Sequence, residues 1–165
     1  MIEVTTFANA HVAVFGLGRS GLATVHALKA GGAEVCAWDD SPERRDEAAD
    51  AGIDLADLYS ADWKKMAALI LSPGVPLTHP EPHWVVRMAR AEACEVIGDV
   101  ELFAREKLPN QIAAITGTNG KSTTTALTGH VLESCGRPVA TGGNLGTPVL
   151  ELPRLPDGGV YVIEM

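Results

Sequence analysis

The chain has 165 residues, of which 46% are hydrophobic and 21% charged, and its formal net charge is −8 at pH 7. This composition favours a folded protein over a disordered one, and the acidic balance argues against nucleic acid as a main partner. No apolar run approaches the ~20 residues of a membrane span, and the N-terminus lacks the positive region of a secretory signal. The odd number of widely spaced cysteines, Cys36, Cys94 and Cys135, predicts reduced, buried thiols in a cytoplasmic protein.

The first fifth of the chain has the pattern of a nucleotide-binding βαβ unit. A buried parallel strand is predicted over His11–Phe15, and G-x-G-x-x-G follows at once over Gly16–Gly21. A helix is predicted over 20–30 and a second strand over 34–38. Asp39 then follows the first glycine by 23 residues, close to the position of a ribose-binding acid in a dinucleotide fold. Two structural alternatives stay open, namely a turn that only packs a helix on its strand and a solvated strand-end acid.

Helices and strands continue to alternate as far as residue 98, which predicts a doubly wound α/β domain. The remaining predicted elements of this region are helices over 42–51, 60–66 and 80–92 and strands over 67–71 and 95–97. Ser41 is the predicted N-cap of the first of these helices, and the segment Ser72-Pro73-Gly74 follows the strand over 67–71.

His79 and His83 are four residues apart, a spacing that can place two metal ligands on one helix face. Pro80 and Pro82 interrupt the helix that would align them, so exposed loop histidines are favoured over a zinc site. The nearby pair Asp46–Glu47 is predicted to lie on a solvated helix face. No Ser/His/Asp or Cys/His spacing in the chain indicates covalent catalysis.

The most specific functional pattern begins at an apolar run of strand type, Ile112–Ile115. It leads into Gly117-Thr118-Asn119-Gly120-Lys121-Ser122-Thr123 and then into residues of helical spacing. Strand, glycine turn, Lys-Ser and helix form the layout of a phosphate-binding loop, in which backbone N–H groups and a helix N-terminus face an anion. Lys121 can reach the β- and γ-phosphates of a nucleotide, and the Ser122 hydroxyl can ligate Mg²⁺.

This loop is shorter than the usual G-x-x-x-x-G-K-[ST], whose first glycine would fall at Ile115. The difference weakens a generic nucleotidase or helicase interpretation. A turn that only caps a helix is the structural alternative.

The part of the chain around this loop is predicted to form a second α/β domain. A connecting helix opens at Gly98 and ends by residue 110, so we place the domain boundary near Gly98, with domains over 1–98 and 99–165. After the loop helix, which carries His130 on its face, come a strand over 138–141, a glycine-rich turn and a strand over 160–163. Glu164 at the tip of that last strand is predicted to be a second metal ligand, with an ordinary strand-end acid as the alternative.

The loop G-T-N-G-K-S-T-T resembles the ATP loop of the Mur ligases and of their folylpolyglutamate synthase relatives. Other segments match the Mur ligase family in its own order, and together they span the chain. The first-domain segments indicate the branch of the family that adds D-glutamate. The matching segments are V-F-G-L-G-R-S-G-L, L-S-P-G-V, V-I-G-D-V-E-L-F, A-I-T-G-T-N-G-K-S-T, T-G-G-N-L-G-T-P and Y-V-I-E.

The resemblance implies a Rossmann-like parallel-sheet N-terminal domain that binds a UDP substrate, followed by the truncated start of a P-loop ATP-binding α/β domain. By similarity, two sets of residues would bind the substrates, and Lys121 and Glu164 would be catalytic. The family commonly has a hydroxyl residue at the position of Asp40. The implied UDP-substrate residues are Leu17, Gly18, Arg19 and Ser20 at the diphosphate, Asp39 and Asp40 near the uracil, and Gly74 and Asn144. The implied ATP residues are Gly117, Thr118, Asn119, Gly120, Lys121, Ser122 and Thr123, with Ser122 and Glu164 as ligands of Mg²⁺.

The implied activity is ATP-dependent formation of an amide bond in peptidoglycan synthesis. The substrates would be ATP, UDP-N-acetylmuramoyl-L-alanine and D-glutamate, and the reaction would pass through an acyl phosphate. The residues that would bind D-glutamate are expected in a third domain, so we expect the 165 residues by themselves to lack ligase activity. The alternatives are a non-catalytic module that binds a nucleotide or nucleotide-sugar, another Mur ligase family member, and a dinucleotide-dependent oxidoreductase.

Overall fold

The computed structural model describes residues 1–144 and 146–165, and these residues divide into two compact units. One unit is Glu3–Glu106, and the other consists of Met1–Ile2 with Lys107–Met165. Each unit contains a parallel β-sheet with at least one α-helix packed against it, which confirms the predicted α/β class. Within the described residues, no helix has both the length and the apolar character needed to cross a membrane.

The unit Glu3–Glu106 is built on a four-stranded parallel sheet. Its strand order is β2-β1-β3-β4, so the chain reverses direction across the sheet between β1 and β3. In open α/β sheets, ligands bind at the carboxyl ends of the strands beside such a reversal. The strands are β1 His11–Phe15, β2 Glu34–Trp38, β3 Met66–Leu71 and β4 Glu95–Gly98, and the helices are α1 Arg19–Ala30, α2 Pro42–Asp50, α3 Trp84–Ala91 and α4 Asp99–Arg105.

Two predicted helices of this unit are shorter than expected. The helix predicted over 60–66 is wrong, since only a single 3₁₀ turn forms at Trp63–Lys65. The Trp63 ring turns into the core, where its indole N–H donates to the Leu58 carbonyl at 3.1 Å, and β3 begins only one residue after the turn. Helix α3 begins at Trp84 rather than at residue 80, because a residue that precedes proline, such as Glu81 before Pro82, is disfavoured in the helical region.

Helix α4 packs with the four-stranded sheet. Its Leu102 and Phe103 side chains are buried, and the helix contacts β3 and β4. Arg105 at its end donates to both Glu95 oxygens, at 2.7 and 2.8 Å. The division between the compact units therefore follows Glu106, whereas the boundary predicted from the sequence lies near Gly98.

The second unit contains a three-stranded parallel sheet of order β5-β7-β6. The central strand β7 is buried along its whole length, while β5 at the edge is partly exposed. The apolar side chains of Ile112 on β5 and of Leu127 and Val131 on the helix that follows β5 are about half exposed. The elements are β5 Gln111–Ile115, α5 Lys121–Ser134, β6 Val139–Gly143 and β7 Val160–Glu164.

The turn after β1 is held in place by close backbone contacts. A Cβ atom built on Gly21 would lie 1.7 Å from the Gly16 carbonyl oxygen, so α1 approaches the turn more closely than any side chain allows. The Ser72 hydroxyl, just after β3, donates to the same carbonyl at 2.6 Å. These contacts join the turn, α1 and the end of β3 into one rigid edge.

Asp39 connects the end of β2 to the same turn. One oxygen of its buried carboxylate accepts from the Leu17 N–H at 2.7 Å, and the other accepts from the Ser41 N–H at 2.9 Å. The Arg44 guanidinium lies 3.5 Å from the first oxygen. Both oxygens thus already have protein donors, which fix the turn against the start of α2.

We predict that Gly21→Ala destabilises the unit Glu3–Glu106 by about 3 kcal/mol or more, because the added methyl group collides with a backbone carbonyl. In an ordinary helix the same change would stabilise by roughly 0.5–1 kcal/mol. Urea unfolding followed by tryptophan fluorescence measures this, since all three tryptophans lie in this unit. Gly98→Ala is the control, because a Cβ there meets no atom within 4 Å. Equal urea midpoints for Gly21→Ala and Gly98→Ala would contradict the close contact between Gly21 and the Gly16 carbonyl.

We predict that Asp39→Ala lowers the unfolding free energy of the same unit by roughly 2–3 kcal/mol, because the buried Leu17 N–H loses its acceptor. Asp46→Ala, on the exposed face of α2, should stay within about 0.5 kcal/mol of the unsubstituted chain. The same fluorescence-detected urea titration compares the two. A change of similar size at both positions would show that the Asp39 hydrogen bonds do not stabilise the turn.

Candidate functional site

The predicted phosphate loop joins β5 to α5. Gly120, the N-cap of α5, has φ 75°, and Gly117 has φ 149°. Residues other than glycine rarely adopt these conformations. Because helix N-termini leave their first N–H groups without intrahelical partners, the exposed loop presents backbone donors to an anion. The Lys121 ammonium folds back across the loop and donates to the Gly117 carbonyl at 2.8 Å, which places a positive charge beside those donors.

Ser122 and Glu164 meet at the carboxyl edge of the three-stranded sheet. The Ser122 hydroxyl donates to Glu164 Oε1 at 3.2 Å, and Glu164 is 3% exposed. Glu164 is the last residue of the central strand, paired in register with Ile115 on one side and Gly143 on the other. A Cβ on Gly143 would lie 2.2 Å from the Glu164 carbonyl oxygen, so a glycine is required for this close strand pairing.

Ser122 and Glu164 both line a cavity of about 320 Å³. A hydroxyl and a carboxylate are ligands that suit Mg²⁺, which proteins usually hold through one or two carboxylates together with substrate phosphates. Among the described residues, no group of three or more His, Cys, Asp or Glu side chains could hold a metal ion without such a substrate. The lining residues are Ser122, Thr125, Ala126, Thr141, Gly142, Gly146, Thr147 and Glu164.

The other predicted ATP and substrate residues of this unit lie near the same edge. Thr118, Asn119 and Thr123 are exposed in the loop and the first turn of α5. Asn144 follows β6 directly, and its backbone N–H donates to the Glu164 carbonyl at 3.0 Å. The residue is exposed. Leu145, in the predicted glycine-rich turn, lies outside the described residues.

In the unit Glu3–Glu106, the turn after β1 exposes backbone at the N-terminus of α1. Gly18 is the N-cap of α1, and the described atom nearest to a Cβ there would be in the Arg44 guanidinium, at 3.9 Å. Arg19 is exposed and Ser20 half-buried, whereas the Leu17 side chain is buried at 2% exposure. Leu17 could therefore contact a ligand only through its backbone.

Gly74 lies near this turn, in the loop after β3. It has φ 90°, and it is exposed with open space at its Cβ position. The loop lines a separate cavity of about 210 Å³ that extends from the end of β3 to Gly98. Gly74 and Asn144, both predicted to touch the UDP substrate, belong to different units.

Asp40 is bound by two aromatic residues that the sequence did not place at the site. The Trp84 indole N–H donates to the Asp40 carboxylate at 3.1 Å, and His83 Nε2 lies 3.2 Å from Asp40 Oδ2. Tyr59 stacks on Trp84 with 3.7 Å between ring centroids, and Phe15 lies 4.7 Å from the His83 ring. The prediction that His83 is an exposed loop histidine is wrong, because its ring packs into this cluster with 21% of the side chain exposed.

A sequence signal for this cluster did exist. In a parallel sheet, a helix that follows a strand begins near the carboxyl edge of the sheet. The start of α3, which follows β3, and Asp40, which follows β2, are therefore expected at the same edge. His79 is exposed, as predicted, and lies 3.1 Å from the Thr78 hydroxyl. His130 is exposed on α5, also as predicted.

The three cysteines are free thiols. Cys94 is buried and Cys36 half-buried, and burial raises the pKa of both thiols, which makes them less reactive. The prediction of buried thiols is wrong for Cys135, which is exposed because it caps the C-terminus of α5 at the surface.

Comparison with known proteins agrees with the motifs. Residues 10–98 match the family model of the Mur ligase MurD-like N-terminal domain, and residues 115–155 match the Mur ligase middle domain. Curated relatives named UDP-N-acetylmuramoylalanine--D-glutamate ligase are 59% identical in Rhodopseudomonas palustris, 56% in Rhizobium meliloti and 56% in Caulobacter vibrioides.

These alignments cover 99–100% of this chain and 36% of each relative. The chain thus spans about a third of the length of the curated relatives that it matches. The MurD-like model alone covers more than half of the chain, over residues 10–98. The resemblance predicted from the motifs is confirmed, and the chain belongs to the Mur ligase family, with an N-terminal domain of the MurD-like type.

Proposed function

We propose that the chain provides the UDP-substrate-binding and ATP-binding parts of a ligase that adds D-glutamate to UDP-N-acetylmuramoyl-L-alanine. The observation that carries the proposal is the phosphate loop with Lys121 across it and the Ser122–Glu164 pair at the same sheet edge. The names of the relatives support the choice of substrates, since they specify UDP-N-acetylmuramoylalanine and D-glutamate.

In this proposal, the second unit binds ATP and helps to transfer its γ-phosphoryl group. The loop N–H groups and the Lys121 ammonium bind the phosphates and stabilise the charge that develops on the transferred group. Ser122 and Glu164 are the residues that would hold Mg²⁺, which when bound neutralises negative charge on the phosphate oxygens. The alanyl carboxylate accepts the γ-phosphoryl group to give an acyl phosphate and ADP, and attack by the amine of D-glutamate then releases phosphate.

The unit Glu3–Glu106 would bind the UDP end of the substrate at the reversal between β1 and β3. The open backbone at Gly18 and the N-terminus of α1 suit a diphosphate, and the neighbouring Arg19 and Arg44 add positive charge. Asp39 accepts a hydrogen bond from the backbone of the turn. Asp40, which contacts Trp84 and His83, has a half-exposed carboxylate that would approach the uracil. We place the reaction in the cytoplasm, where free thiols such as these stay reduced.

We predict that Lys121→Ala weakens the binding of ATP-Mg²⁺ by about 2–3 kcal/mol, or roughly 30–150-fold in Kd, because a charge-assisted phosphate contact is lost. Titration calorimetry with ATP-Mg²⁺ measures the change. Lys107→Ala is the control, because Lys107 is an exposed lysine of the same unit outside the loop. Unchanged ATP affinity in Lys121→Ala would refute the assignment of this loop.

We predict that Gly18→Val abolishes binding of UDP-N-acetylmuramoyl-L-alanine without unfolding the unit. The nearest atom to an added Cβ is 3.9 Å away, so the side chain fits the fold but fills the space where a diphosphate would approach the backbone. Ala30→Val, at the exposed far end of α1, is the control for helix propensity. Binding is measured by calorimetry and folding by thermal melting. Normal melting with normal binding would show that the turn is only structural.

A further inference from the structure

The Thr125 hydroxyl lies buried in the second unit with no hydrogen-bond partner among the described residues. The whole residue is only 6% exposed, and it lines the 320 Å³ cavity together with Ser122 and Glu164. Ser122 and Thr125 are three residues apart on α5, so both project from the same face of the helix. The Ser122 and Thr125 hydroxyls therefore share one cavity with the buried Glu164 carboxylate, and Thr141 and Thr147 also line it.

This lack of a partner is unusual for a threonine within a helix. A helical threonine can donate to the carbonyl four residues earlier, as Thr24 in α1 does to Ser20 at 2.8 Å. Buried polar groups in proteins are nearly always hydrogen-bonded, and an exception indicates a missing water, ion or ligand. The Thr125 hydroxyl thus indicates that a polar group belongs in the cavity beside Glu164.

We infer that Thr125 is a positioning residue for a hydrated divalent cation, its hydroxyl accepting a hydrogen bond from a water molecule of the cation. The inference rests on the proposed function, in which Ser122 and Glu164 hold Mg²⁺ with the nucleotide phosphates. Mg²⁺ gives up its waters reluctantly, so a site with one hydroxyl and one carboxylate leaves several waters that need acceptors. A cavity of about 320 Å³ has room for such waters, at about 30 Å³ each.

The three variants that test this role are Thr125→Val, Thr125→Ser and Thr124→Val. Valine has the shape of threonine without the hydroxyl, and serine keeps the hydroxyl. Thr124 is the neighbouring exposed threonine of α5, so Thr124→Val controls for the effect of valine on the helix. Thermal melting of the ligand-free chain is the first measurement. Thr125→Val should melt no lower than Thr124→Val, because the hydroxyl it removes has no partner to lose.

The second measurement is the affinity for Mg²⁺ at saturating ATP, together with ATP affinity in the presence of EDTA. Thr125→Val should bind Mg²⁺ roughly 10–100-fold more weakly, which is the typical loss when a residue that hydrogen-bonds to a metal ligand is changed. Its metal-free ATP affinity should stay within about twofold, and Thr125→Ser and Thr124→Val should resemble the unsubstituted chain. A loss of roughly 10–100-fold confined to the Mg²⁺ titration would not follow from a merely structural role.

Three results would overturn the inference. Unchanged Mg²⁺ affinity in Thr125→Val, while the unsubstituted chain binds ATP-Mg²⁺, would remove Thr125 from the metal site and leave the proposed function intact. A lower melting temperature in ligand-free Thr125→Val than in Thr124→Val would show that the hydroxyl stabilises the fold instead. A lack of Mg²⁺-dependent ATP binding in the unsubstituted chain would overturn the proposed function and this inference with it.

Discussion

The parallel pairing of β7 between β5 and β6 is the constraint on which the phosphate loop and the Ser122–Glu164 pair depend. In register, this pairing brings Ile115, Gly143 and Glu164 to one edge of the sheet. The phosphate loop leaves the sheet at the first of these residues, and the carboxylate stands at the last. A slip of one residue would turn Glu164 to the opposite face of the sheet and separate it from Ser122. The two residues are 42 positions apart in sequence, and only this register brings them together.

Glycines set how closely the backbone can approach at both edges. At Gly21 and Gly143, an added Cβ would lie within 2.2 Å of a backbone oxygen, so these positions pack backbone directly on backbone. Gly18 and Gly120 are different, because their missing side chains leave open space instead. The first kind of glycine allows close backbone packing, and the second kind supports the proposal that a phosphate approaches the backbone N–H groups.

Buried polar groups in the two units differ in whether the protein supplies their hydrogen-bond partners. Asp39 is buried and has a protein donor for each oxygen, so it stabilises the turn after β1. The Thr125 hydroxyl is buried without a hydrogen-bond partner among the described residues, which is why we infer a water-mediated role for it. Asp40 lies between these extremes, since Trp84 and His83 hold it while half of its side chain stays exposed. The three residues therefore differ in how far the protein satisfies their hydrogen bonds.

The amino-acid sequence by itself determined the α/β class, most strand positions and the glycine turns, because strand periodicity and glycine spacing are local properties of the chain. It also predicted the loop around Lys121 and the position of Glu164 at a strand tip, while the role of Glu164 as a metal ligand stays a prediction. Only the tertiary structure decided that the Asp39 carboxylate accepts from the Leu17 N–H and that Trp84 and His83 bind Asp40. It also decided that the Thr125 hydroxyl is buried without a partner among the described residues. These features depend on contacts between residues distant in sequence, and burial and hydrogen-bond partners are not encoded by any local pattern.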